Sequence, residues 1–292
     1  MTKRRPEIYE LLWKGSAAKP YSDLRESEII HTRFARVKRE LNQMAASCQT
    51  SGGRLRVLDF GCADGHTAQQ ILASAGDRIE YCGCDLYDVS EAVSVVAKPP
   101  RVGIARNGGL PALQETDTEF DAIFALSCLQ YVDDPQAVVN DLAQRLRYKG
   151  ALFVYLYDAR PLRRATDNFF RSAFADKEVE DLLPLARFWI ALRDALGDTM
   201  VEVPEDVPEL GLTAGPARIQ RLIVESMLFA WAPPDSSTQR VAWALGEMFL
   251  TGSHTYFDRD AASRLVGVAE LDLEWLESGS SGHLLKAVRS QA

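Results

Sequence analysis

The chain has 292 residues, of which 47% are hydrophobic, 25% charged and 9% aromatic, a globular composition that excludes disordered, collagen-like and low-complexity classes. Its 33 Lys and Arg against 41 Asp and Glu give a net charge of −8, so no nucleic-acid or anionic-membrane partner is expected. No apolar run approaches the roughly 20 residues of a membrane-spanning helix, and no hydrophobic signal-peptide region follows the basic start Met1–Glu7. The five cysteines (Cys48, Cys62, Cys82, Cys84, Cys128) lack zinc-ligand spacing and read as buried, reduced thiols of a cytoplasmic protein with no metal.

Residues 22–47 carry apolar side chains at helical spacing (Ile30, Phe34, Val37, Leu41, Met44) behind a cap at Ser22, until Gln49–Gly53 breaks the pattern. From Leu55 onward short apolar runs alternate with helical stretches. The runs are Leu55–Phe60, Ile79–Cys84, Val102–Ala105, Ala122–Leu126 and Ala151–Tyr157; the clearest helices between them are Asp64–Ala75 and Pro135–Leu146. Buried strands separated by helices indicate a doubly wound α/β domain with a parallel sheet covered on both faces.

The rhythm stops after Asp158. Residues 160–255 show helical patterns only: Val179–Leu196, a stretch opened by Gly215-Pro216 and carrying Ile219, Leu222, Ile223 and Met227, and a third from Ser236 to Phe249. The acidic segment Val203–Pro208 connects the first two. A short helix, Asp258–Val266, then precedes Glu270–Leu276 and His283–Val288, two strands around Gly279–Gly282 that read as a hairpin. The expected organisation is a helical segment 1–50, an α/β domain built from 51–159 and 256–292, and a helical lid or acceptor insertion 160–255.

The informative stretch is Val57-Leu-Asp-Phe-Gly-Cys-Ala-Asp-Gly-His-Thr-Ala68. A buried strand ends at Asp59, and Gly61 and Gly65 allow close backbone approach to a ligand beside a helix start. A dinucleotide fingerprint in this register needs glycine at 61, 63 and 66, and Ala63 and His66 break it.

The stretch resembles motif I, D/E-x-G-x-x-x-G, of the class I S-adenosylmethionine-dependent methyltransferases. Further pieces follow in the family's order: Asp85 at the end of the second strand, Asn107–Pro111, Glu119–Ile123, Ser127–Pro135 with Tyr131 where His is common, and Leu146–Val154. The resemblance implies a seven-stranded, mostly parallel sheet with a reversed last strand, and S-adenosylmethionine as cofactor with S-adenosylhomocysteine as product. It implies a cofactor set of Asp59, Gly61, Cys62, Ala63, Gly65, His66, Asp85, Leu86, Asn107, Gly108, Ser127, Cys128 and Leu129. In that set Asp85 would accept the ribose hydroxyls and Asn107 would face the adenine.

The expected acceptor is a small molecule with an O, N or C nucleophile, such as a specialised metabolite or glycan precursor. His254 is the general-base candidate, with Tyr256 beside it. Arg160, Arg163 and Arg164, directly after the fifth strand, suggest an anionic acceptor. Trp189, Phe229, Trp231 and Trp243 read first as core of the helical insertion, which could also form a homodimer interface. A second reading is a protein of the same fold that binds S-adenosylmethionine without methylating.

Overall fold

The computed structural model describes residues 34–50, 52–159, 161–207, 214–219, 237–250, 254–279 and 282–290. The chain divides into two compact units, one from 25–157 with 259–292 and the other from 158–258 with 1–24.

The first unit holds a seven-stranded sheet. Its strands are β1 (Leu55–Phe60), β2 (Ile79–Asp85), β3 (Val102–Asn107), β4 (Phe120–Leu126), β5 (Leu146–Tyr157), β8 (Asp272–Ser278) and β9 (Gly282–Val288). β6 (Met200–Val203) and β7 (Gly215–Arg218) belong to the second unit. The spatial order is β3-β2-β1-β4-β5-β9-β8. β1 pairs in parallel with β2 and β4, and β4 with β5, while β9 runs antiparallel to both β5 and β8. The reversed last strand therefore lies inside the sheet, with β8 at the edge. β1, β2 and β4 are buried along nearly their whole length, as continuous apolar runs demand when both sheet faces are covered.

The covering helices are α1 (Ala35–Thr50), α2 (His66–Leu72), α3 (Ser90–Val96), α4 (Pro135–Arg145) and α8 (Arg259–Gly267). α1 buries Val37 and Leu41 in the sheet core, and Phe34 meets the Tyr155 ring edge-on at 5.9 Å. The start of the expected helix, including Ser22 and Ile30, lies outside the described residues. α4 starts as its sequence dictates: Pro135 occupies the first turn and the Asp134 carboxylate accepts the Ala137 N–H at 3.0 Å.

Several bounds differ from expectation. β5 begins at Leu146 instead of Ala151, because the polar stretch Arg147–Lys149 stays exposed on its side chains while its backbone pairs. Leu146 sits opposite Phe120 across a register shift, and the Lys149 N–H donates to the Arg289 carbonyl at 2.8 Å. α2 is confined to His66–Leu72 because Gly65, at φ 74°, ends the preceding loop.

The second unit contains α5 (Pro161–Ala173), α6 (Leu183–Leu196), α7 (Thr238–Leu250) and the antiparallel ribbon β6 (Met200–Val203) with β7 (Gly215–Arg218). The ribbon corrects the helix-only reading of 160–255. Val201 and Val203 favour extended backbone, Pro204 ends the strand, and Pro216 sits in a two-stranded ribbon where its missing N–H is tolerated. The core of this unit joins Val179, Leu182, Trp189, Leu245 and Phe249, with Phe170 stacked on Phe249 at 5.0 Å. Phe229 and Trp231, the side chain of Trp243, and the helix expected around Leu222 and Met227 lie outside the described residues.

Candidate cofactor and acceptor site

Strand order reverses direction of growth between β1 and β4, so their carboxyl ends flank the crevice where ligands bind in doubly wound sheets. The loop leaving β1 is tied to β2 by the N–H groups of Gly61 and Cys62, which both donate to the Cys84 carbonyl at 2.8 and 3.2 Å. Gly61 has φ 73°, and a Cβ there would lie 2.4 Å from Cys128 Cβ. Gly65 has φ 74°, and a Cβ would lie 2.9 Å from the Ala92 carbonyl oxygen. Both glycines are required by conformation and by space. Ala63 between them also adopts a positive φ of 49°.

Two carboxylates hold this loop. Asp59 is buried, and its Oδ2 accepts the Tyr81 hydroxyl at 2.8 Å. Asp85, half-buried, accepts the Ala63 N–H on Oδ2 at 2.8 Å and the Leu86 N–H on Oδ1 at 2.7 Å. The Asp85 carbonyl accepts the N–H groups of Gly108 and Gly109 at 2.8 and 2.7 Å. Asp85 thus joins the β1, β2 and β3 loops through its own atoms.

Leu86 beside it is 60% exposed, which places an apolar side chain at the rim of the crevice. Asn107, expected at the adenine edge, uses its amide locally: Oδ1 accepts the Val89 N–H at 3.0 Å and Nδ2 donates to Asp88 at 3.2 Å. His66 pairs with Gln70 one turn along α2, with 2.7 Å between Nε2 atoms.

The turn leaving β4 closes the other side. Ser127 takes a positive φ of 63°, Cys128 Sγ lies 3.1 Å from the Phe60 carbonyl oxygen, and Leu129–Tyr131 form a single 3-10 turn. The thiols of Cys62 and Cys128 lie at this loop. Each is pushed well above the ordinary thiol range, first by burial and then by the negative charges of Asp59 and Asp85. Asp59 and Asp85 set two carboxylates beside the glycine loop, an arrangement that favours a cationic ligand and disfavours a pyrophosphate. The same shifts keep both sulfurs protonated and unreactive.

In the second unit, α5 presents two buried charged residues one turn apart, Asp167 and Arg171. Asp167 Oδ2 accepts the Tyr256 hydroxyl. Arg171 Nη2 lies 2.6 Å from His254 Nδ1. A guanidinium can only donate, so Nδ1 is the acceptor and the ring's proton is on Nε2. In this state His254 is a neutral donor through Nε2, with no basic lone pair to offer. Arg160 and the side chain of Arg163 lie outside the described residues, and Arg164 is exposed on α5. Sequence reasoning passed over Tyr81, Asp167 and Arg171: Tyr81 reads as one more apolar strand position, and the α5 pair shows only as i, i+4 spacing.

A family model described as a methyltransferase domain matches residues 29–189, more than half of the chain. The chain belongs to the methyltransferase-domain family. Its sheet order and reversed β9 are those of the class I S-adenosylmethionine-dependent methyltransferases. The CMeT domain of citrinin polyketide synthase is similar at 13% identity, covering 98% of this chain and 60% of that one, with a TM-score of 0.54. Magnesium protoporphyrin IX methyltransferase from Synechocystis PCC 6803, solved with bound S-adenosylmethionine, is 11% identical, covers 97% and 96%, and has a TM-score of 0.47. The 1,6-didemethyltoxoflavin-N1-methyltransferase of Burkholderia thailandensis is 11% identical, covers 100% and 93%, and has a TM-score of 0.48. No curated protein matches the chain.

The residues at the carboxyl edge fit the methyl donor of this class. The donor carries positive charge, and Asp59 and Asp85 place two carboxylates beside the loop. Among the described residues no group of three or more His, Cys, Asp and Glu could hold a metal ion, and no helix is long and apolar enough to cross a membrane.

Proposed function

We propose that this methyltransferase binds S-adenosylmethionine in the β1–β2–β4 crevice and methylates a small molecule. The observation that carries the reading is the placement of two carboxylates, Asp59 and Asp85, beside the tightly packed glycine loop at the carboxyl edge. S-adenosylmethionine supplies an electrophilic methyl group on a sulfonium.

The chain's residues bind, orient and exclude water. Asp85 would accept from the ribose hydroxyls. The loop 61–65 would pass its backbone along the methionyl part, with Asp59 beneath it. Leu86 and Gly108 would flank the adenine, and Ser127–Leu129 would close the crevice on the β4 side. Holding a nucleophile in line with a methyl group in a dry site is the main catalytic contribution open to such a protein.

A small acceptor is supported by the overall charge of −8, which disfavours nucleic acid, and by a helical unit of the size expected of an acceptor-binding cap. His254 is proposed as an N–H donor toward the acceptor, with Tyr256 donating to Asp167 in the same unit. A panel of phenols, carboxylates, amines and enolisable ketones, set against RNA and protein fractions, tests the reading by release of S-adenosylhomocysteine. Turnover with one small-molecule class alone supports it. Turnover with macromolecules alone overturns it.

A further inference from the structure

The carboxyl ends of β4 and β5 carry two tyrosines that the fold does not account for. Tyr157 is the last residue of β5, and Tyr131 ends the 3-10 turn that follows β4. The two strands are parallel, and the Ser127 N–H donates to the Tyr155 carbonyl at 3.2 Å, so the turn is fastened to β5. The rings of Tyr131 and Tyr157 meet edge-on at 6.3 Å, and their hydroxyl oxygens lie 3.4 Å apart. Cys128, just before this turn, rests its sulfur on the Phe60 carbonyl and fills the space beside Gly61. One short segment, 128–131, thus runs from the glycine loop to the tyrosine pair, all within the sheet unit.

The rings belong to an aromatic row: Phe34 against Tyr155, Tyr155 against Tyr157, and Tyr157 against Tyr131. Edge-to-face packing of that row needs rings and no hydroxyls, so phenylalanine would serve it as well. Tyr155 is buried, whereas Tyr131 and Tyr157 are half-buried. The row therefore leaves the core at the carboxyl edge, where doubly wound sheets bind their ligands. A separation of 3.4 Å is longer than an ordinary O–H···O bond, as catalytic hydrogen bonds often are before a ligand tightens them. Each phenol has one O–H to donate. An oxygen seated against both would receive two donors, and an anionic oxygen gains most from them.

We propose that Tyr131 and Tyr157 are specificity-determining residues for the methyl acceptor, clamping an acceptor oxygen in its ionised form, as in a phenolate, enolate or carboxylate. This rests on the cofactor reading above and goes beyond it by choosing among the O, N and C nucleophiles, since a simple amine presents no anionic oxygen to the pair. The acceptor gives its proton to water on ionising. Its electron pair then forms the bond to the methyl carbon while the carbon–sulfur bond breaks onto sulfur, so one proton is released for each methyl transferred.

The test uses 4-nitrophenol, which colours on ionising, and 4-nitroanisole, its methyl ether, which cannot ionise. Calorimetry measures both affinities, at a pH where nitrophenol is ionised, on the S-adenosylhomocysteine complexes of wild type, Tyr131→Phe and Tyr157→Phe. The wild type is expected to bind nitrophenolate about tenfold or more tighter than nitroanisole, and to move the colour change of bound nitrophenol to lower pH. Each variant is expected to lose most of that preference, with its S-adenosylhomocysteine affinity and melting temperature unchanged. Equal affinity of the wild type for the two probes, binding of neither, or a preference that survives both substitutions overturns the proposal.

Should either variant not fold, the acceptor panel applied to the wild type reads the same selection. Release of S-adenosylhomocysteine with phenols, enolisable ketones or carboxylates supports the proposal and tells which of them bears the anionic oxygen. Release with amines alone overturns it. A wild type that does not bind S-adenosylhomocysteine would instead overturn the cofactor reading.

Discussion

The Asp85 carboxylate accepts the Ala63 backbone N–H at 2.8 Å, locking the turn after β1 to the end of β2. Ala63 needs the lock, because it holds a left-handed φ of 49° without being glycine. One carboxylate at the end of β2 thus shapes the loop that leaves β1.

Asp85→Ala is expected to remove acceptors from the Ala63 and Leu86 N–H groups together. The predicted loss is about 1–3 kcal/mol of folding stability, with S-adenosylmethionine affinity weakened tenfold or more. Denaturant titration and calorimetry on the same preparation check both. Loss of stability with unchanged affinity would confine Asp85 to a structural role.

Gly61→Ala combines strain and clash. Left-handed backbone at a residue with a Cβ costs about 1–2 kcal/mol, and the new atom would stand 2.4 Å from Cys128 Cβ. The variant should lose about 2–4 kcal/mol, with overpacking contributing the remainder. Adding Cys128→Gly should recover the clash component and leave the strain. A double variant no more stable than Gly61→Ala would show that Cys128 is not the obstacle.

The sheet was legible in the sequence because β1, β2 and β4 are buried on both faces and so appear as unbroken apolar runs. β3 was read short because it is an edge strand whose polar end, Arg106 and Asn107, still pairs with Cys84 and Asp85. The β6–β7 ribbon was missed because four-residue strands bounded by proline leave no period to detect. In the candidate site the glycines announced themselves through spacing. Tyr81 beneath Asp59, and Arg171 against His254, could not be seen, since each partnership joins residues far apart in the chain and depends on which way a side chain faces.

Tyr81→Phe deletes the hydroxyl that Asp59 accepts in the core. The buried carboxylate is left short of one partner, so stability should fall by about 1–3 kcal/mol. A thermal melt at neutral pH checks this, and an unchanged midpoint would mean that Asp59 is satisfied without Tyr81.

The buried thiols make stability fall in alkali. Burial and the charge of Asp117 push Cys82 up to about 12, and Cys62, Cys84 and Cys128 are also raised, burial being the main cause. In the unfolded chain these thiols ionise near their ordinary value, while the folded chain keeps them protonated. The unfolded state then binds fewer protons, so stability is intact below about pH 8.5 and declines as pH rises above it. Each fully buried thiol contributes a slope of about 1.4 kcal/mol per pH unit. Urea denaturation at pH 7.5, 9 and 10 should show the midpoint falling, and a flat profile would contradict the burial of these sulfurs.

Arg171→Met removes the cation that holds His254 Nδ1 as an acceptor. The freed ring can then take either tautomer or a proton. With an acceptor in hand, Arg171→Met should lower turnover and leave S-adenosylhomocysteine affinity unchanged. Unchanged turnover would remove the Arg171–His254 pair from the reaction.

The most direct test of the central claim is calorimetric titration of ligand-free protein with S-adenosylmethionine and, separately, with NAD. Two carboxylates over a glycine loop predict micromolar binding of the sulfonium ligand and none of the pyrophosphate. Binding of NAD, or no binding of S-adenosylmethionine, would contradict the assignment of this crevice.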